Sequence, residues 1–101
     1  MTELPIPPPV QGDPKATEMV RAWLAHDRLN VSMRLGMWQD AGIDECEGWG
    51  VILSDLLRYA ANGLSQQYGW GLEDTVKAIH DSLRRSLDER SFTMGPNTAP
   101  R

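Results

Sequence analysis

The hydrophobic period of this chain changes once. Across residues 17–35 the apolar side chains recur at every second position, and from Trp49 to Leu87 they recur at every third or fourth. A period of two marks a strand with one covered face, and a period of three to four marks a helix with one covered side. The chain is thereby constrained to an α+β fold: an antiparallel β-hairpin or sheet over about 17–35, followed by two amphipathic helices packed on one face. The two patterns absorb nearly every large apolar residue and leave few side chains for chemistry.

The alternation sets a register. With Ala25-His26-Asp27-Arg28 as a four-residue loop, Leu24 faces Leu29, Ala22 faces Val31 and Val20 faces Met33, all six on the core face. The other face carries Met19, Arg21, Trp23, Asn30, Ser32 and Arg34. Residues 36–48 read as an irregular loop broken by Gly36, Gly42 and Gly48, with four acids between Asp40 and Glu47. The first helix follows from Trp49, with Ile52, Leu53, Leu56, Leu57, Ala60 and Leu64 as its stripe. Gly63 falls within that stripe, where it would let another helix approach closely. Gly69 stands where a left-handed C-terminal cap is wanted. The second helix starts near Leu72 with Glu73 and Asp74 at its positive end. Its stripe is Leu72, Val76, Ile79, Leu83 and Leu87, and Lys77, Asp81 and Arg85 form a ladder of i,i+4 ion pairs. Leu53, Leu56, Ile79 and Leu83 are the expected core.

The domain organisation is a proline-rich arm over residues 1–14, one α+β domain over 15–90 and a flexible tail over 91–101. Five of the seven prolines fall in the arm, which either lies over the domain or hangs free. A chain of 101 residues is one domain with one modest core. Its 14 acidic against 10 basic residues, net charge −4, argue against a nucleic-acid or anionic-membrane surface. No apolar run approaches the length of a membrane span. The N-terminal residues lack the pattern of a signal peptide and Cys46 is the lone cysteine, so the expected location is cytoplasmic.

Chemistry finds little support. His26 lies in the hairpin loop, and His80 on the shoulder of a helix stripe reads as a half-buried histidine bonded to a carboxylate or carbonyl. Neither forms a triad with a nucleophile. One cysteine and two isolated histidines match no zinc spacing. The acidic stretch Asp44-Glu45-Cys46-Glu47 lacks the alternating oxygens and central glycine of a calcium loop, and reads first as complement to a helix dipole. No phosphate-binding glycine turn is present. No catalytic residue, cofactor or metal is therefore expected, and the chain is read as a non-enzyme.

Two surfaces remain. Arg21, Trp23 and Arg34 share the second face of the hairpin, and tryptophan and arginine are over-represented where proteins bind each other. A two-stranded ribbon is marginal alone and leaves unpaired edges. A second copy pairing edge to edge would make a four-stranded sheet with two-fold symmetry. The other surface is a pocket between sheet and helices near Trp49 and Trp70, each of which sits in a Gly-Trp-Gly tripeptide at a helix start.

The stretch Leu4-Pro5-Ile6-Pro7-Pro8, Asp13-Pro14-Lys15-Ala16-Thr17-Glu18, Arg21-Ala22-Trp23, Asn30-Val31-Ser32-Met33-Arg34 and Trp49-Gly50-Val51-Ile52-Leu53-Ser54-Asp55 resembles a small bacterial domain-of-unknown-function family, number five thousand and seventy-six, over about residues 3–90. The chain departs from that pattern in a longer, more acidic loop before Trp49 and in its tail. The resemblance implies no activity and no site residues. The expected function is a non-catalytic bacterial accessory or protein-interaction module acting as a homodimer, with an unidentified protein as a further partner. The rival reading is a small ligand-binding or regulatory protein with its pocket between sheet and helices. The chain has neither the fingerprint nor the size for a nicotinamide- or thiamine-dependent site.

Overall fold

The computed structural model describes residues 3–89. Alternating apolar positions form a two-stranded antiparallel sheet from β1 (Val20–Ala25) and β2 (Arg28–Met33). The register is the anticipated one: Val20 with Met33, Ala22 with Val31 and Leu24 with Leu29. The turn is tighter than anticipated. Ala25 and Arg28 pair, so the connection is His26-Asp27 alone, rather than four residues. Both take positive φ, 55° and 59°, the left-handed pair whose twist matches that of the flanking strands. Asp and His adopt that region more readily than most side chains, which lets the turn form without glycine.

The helices follow. In chain order they are α1 (Pro8–Gln11) in the N-terminal arm, α2 (Met37–Asp40), α3 (Glu45–Tyr68) and α4 (Leu72–Glu89). α3 starts four residues before the apolar stripe does. The Asp44 carboxylate accepts the Cys46 and Glu47 N–H groups, at 2.8 and 3.4 Å, and Glu45 and Glu47 occupy the positive first turn. The acidic stretch is thus a helix start and not a loop, and α2 takes up part of what remains of the connection. Gly69 ends α3 in the left-handed conformation, φ 73°, donating its N–H to the Ser65 carbonyl at 2.8 Å. After Gly69-Trp70-Gly71 the chain packs α4 against α3. The Thr75 N–H and hydroxyl both donate to the Gly71 carbonyl, at 2.9 and 2.7 Å, and fix that corner.

The packing departs from the sequence expectation. The α3–α4 contact centres on Ala61, fully buried, and Thr75. The covered flank of α3 is Leu57, Ala61 and Leu64, turned round the helix from Leu53 and Leu56, which stay 52% and 50% exposed. Leu83 is also exposed and Ile79 only half-buried. Of the four residues expected in the core, none is fully covered within one chain, and a Cβ at Gly63 would meet nothing. Among the described residues no large side chain is fully buried.

Nor do the helices lie on the sheet. Among the described residues no helix packs on either strand, and Leu24 and Leu29 stand 75% and 59% exposed on the face that the alternation marks as core. The helices pack on each other and α2 packs on the start of α3, so the hairpin is left outside the helical layer. Of the ion-pair ladder on α4, Lys77 and Asp81 pair at 2.8 Å, while Arg84 reaches Asp88 at 3.5 Å instead of Arg85 joining Asp81. The tail expected over 91–101 lies outside the described residues.

The joint between α2 and α3 is a tryptophan pair. The Trp38 ring lies edge-on to Trp49, centroids 5.6 Å apart and planes at 83°, and covers Gly48 so closely that a Cβ there would overlap the indole. Gly48→Ala is therefore expected to cost about 1–3 kcal/mol through overpacking. Gly50→Ala, where a Cβ meets nothing, is expected to gain about 0.5–1 kcal/mol from helix propensity. Chemical denaturation midpoints of the two variants check both signs.

Candidate interaction surface

The hairpin places the three residues of the proposed surface together. Arg21 forms an ion pair with Glu18, its Nη2 and Nε donating to the carboxylate at 3.0 and 3.1 Å. Arg34 donates through Nε to the Glu18 carbonyl at 3.1 Å. One residue thus holds both guanidinium groups at the base of the hairpin. Trp23 is half-buried and sits opposite Asn30 in the register. Asn30 in turn donates from its side chain to the Ala25 and Arg28 carbonyls, each at 3.1 Å, bracing the turn. Trp23, Ala22 and Leu24 line a groove of about 520 Å³ with Leu4 and Ile6 of the N-terminal arm. Among the described residues the arm makes no backbone hydrogen bond to β1.

Trp49 and Trp70 are not brought together. They stand at opposite ends of α3, which at 24 residues is about 36 Å long. Trp49 is half-buried in the joint with Trp38. Trp70 is 53% exposed and stacks on Tyr68 with centroids 5.0 Å apart. A pocket between sheet and helices has no walls here, since those layers do not touch. Two further grooves lie along the helices. One of about 700 Å³ is lined by Asp55, Arg58, Tyr59, Leu72 and Val76, and one of about 620 Å³ by Leu64, Trp70, Thr75 and Ile79.

His80 is exposed rather than half-buried, with Nδ1 3.3 Å from the Asp81 carboxylate. The Lys77 ammonium, and after it His80, hold the Asp81 carboxyl below its ordinary range. Cys46 is free and exposed. Among the described residues no three His, Cys, Asp or Glu side chains converge on a point that could hold a metal ion, and no helix is long and apolar enough to cross a membrane.

Glu45 is the polar group that sequence reasoning missed. Its carboxylate accepts four hydrogen bonds: from the Gly36 N–H at 2.7 Å, the Trp38 N–H at 3.1 Å, the Gln39 N–H at 3.0 Å and Trp49 Nε1 at 3.0 Å. One side chain thereby caps α2, anchors the indole of Trp49 and ties α2 to the start of α3. The Gly36 N–H above all, with Gln39, Trp49 and Trp38 behind it, holds the Glu45 carboxyl below its ordinary range against the opposing effect of burial. A lowered folded-state pKa stabilises the fold above the ordinary carboxylate range, and that contribution is lost as the pH falls through the lowered value. Glu45→Gln should therefore lower Tm at neutral pH, and the gap to the unmodified chain should close in acid. Melting curves between pH 7 and pH 3 check it.

A search of curated proteins finds no match. Among solved structures, the chain is similar to one from the photosynthetic bacterium Rhodopseudomonas palustrus CGA009, named there a "putative pyruvate dehydrogenase". The TM-score is 0.69 at 22% identity, covering 94% of this chain and 91% of that one. At that identity the likeness concerns the fold. The family model described as Domain of unknown function (DUF5076) matches residues 3–91, and the chain belongs to that family.

Proposed function

We propose that this chain is a non-catalytic interaction module that works as a homodimer, in the cytoplasm of a bacterium. One observation carries the reading: the single chain leaves its apolar faces open. Among the described residues no large side chain is fully buried, and the only fully covered apolar residue is Ala61. The open surface is apolar where it matters. Leu24 and Leu29 of the hairpin, Leu53 and Leu56 of α3 and Leu83 and Leu87 of α4 are all exposed, and covering such a side chain stabilises by about 1.5–3 kcal/mol. A ribbon of two strands is marginal in water without something on its face, and among the described residues no helix lies there.

The non-catalytic part of the reading rests on what the polar side chains do. Glu45, Asp44, Arg21, Arg34 and Thr75 are each engaged in holding a turn, a cap or a joint, which gives them structural work and no common cleft.

Light scattering at micromolar concentration tests the proposal. The expected molar mass is twice the 11.3 kDa of one chain. The mass of a single chain, with helix content intact by circular dichroism, would overturn it.

A further inference from the structure

We infer that the second copy is gripped along the outer edge of β2, antiparallel and about Asn30, giving a four-stranded sheet in the order β1-β2-β2-β1. The inference rests on the homodimer reading and adds the surface and the register. The ladder settles which backbone groups are free. Arg34 N–H donates to Met19 O, and bonded and non-bonded pairs alternate along an antiparallel ladder. Arg28, Asn30 and Ser32 therefore point their backbone groups at β1, and Leu29, Val31 and Met33 point theirs outward. Those outward amides have no acceptor among the described residues. The outward amides of β1 are unpaired as well, but Leu4 and Ile6 of the arm lie in a groove shared with β1, so β2 is the edge left unflanked among the described residues.

The charges choose the register. Pairing centred on Val31 would set Arg28 opposite the Arg34 of the second copy, like charges face to face, which is destabilising. Pairing centred on Asn30 sets Arg28 opposite Ser32, and Leu29 opposite Val31 with their outward groups bonded. The same arrangement puts both apolar faces on one side of the sheet. The six core-face residues of each hairpin then become one surface of twelve, and three or more strands with such a face can hold their own. The apolar face that the pairing builds is the one the helices leave open.

Amide hydrogen exchange on the unmodified chain reads the edge directly. Leu29 and Val31 should exchange at least about tenfold more slowly than Ala22 and Leu24 at the β1 edge. Equal rates, or the reverse order, would overturn the pairing. Disulfide trapping gives the register, in a Cys46→Ser background. Asn30→Cys should trap a covalent dimer, because facing non-bonded pairs lie about 4.5 Å apart at Cα. Ala22→Cys should not. If Ala22→Cys traps and Asn30→Cys does not, the interface is at β1 and the inference falls. If neither traps while light scattering still gives twice the single-chain mass, the edge pairing falls and the homodimer stands. A single-chain mass removes both.

Discussion

The larger apolar side chains of the hairpin and of α3 face outward among the described residues, Leu24, Leu29, Leu53 and Leu56 above all, and the rest of the structure is arranged around that. Within the chain the only apolar side chain wholly removed from water among the described residues is Ala61. A contact built on Ala61 and Thr75 brings two helices close, but it transfers little apolar area, because the residues are small. The larger side chains of both stripes remain on the outside. A domain of this length has only about 5–15 kcal/mol of net stability, and that margin comes mainly from buried apolar area. Here the larger apolar side chains face outward among the described residues.

The strongest local anchoring lies where α2 meets the start of α3. Glu45 ties Gly36, Trp38 and Gln39 to the first turn of α3, and the Trp38 ring covers Gly48. The arrangement uses two of the four tryptophans and a four-donor carboxylate to fix α2 on the first turns of α3. The strands, which no helix covers among the described residues, keep their apolar face open.

Much of this was legible in the residues. The hairpin and its register follow from alternation alone, since a slip of one residue would turn Val20, Ala22 and Leu24 to the wrong face. The ends of α3 and α4 follow from Gly69 and from the acids at 73 and 74. The turn was misjudged because His26-Asp27 lacks the glycine that usually announces a two-residue loop. The start of α3 was missed although Asp44 and Glu47 stand at the spacing of a capping box. The role of Glu45 is a different case: its four donors come from four residues spread over fourteen positions, and no local pattern links them. The core was misplaced for a physical reason. Periodicity identifies a side that must be covered, and it does not say whether the cover comes from the same chain.

Unfolding followed by circular dichroism across a hundredfold range of chain concentration tests that last point most directly. If a second copy completes the core, loss of helix and dissociation are one transition, and Tm rises steadily with concentration. A Tm that stays fixed over the whole range, with a folded species of 11.3 kDa at the lowest concentration, would contradict it.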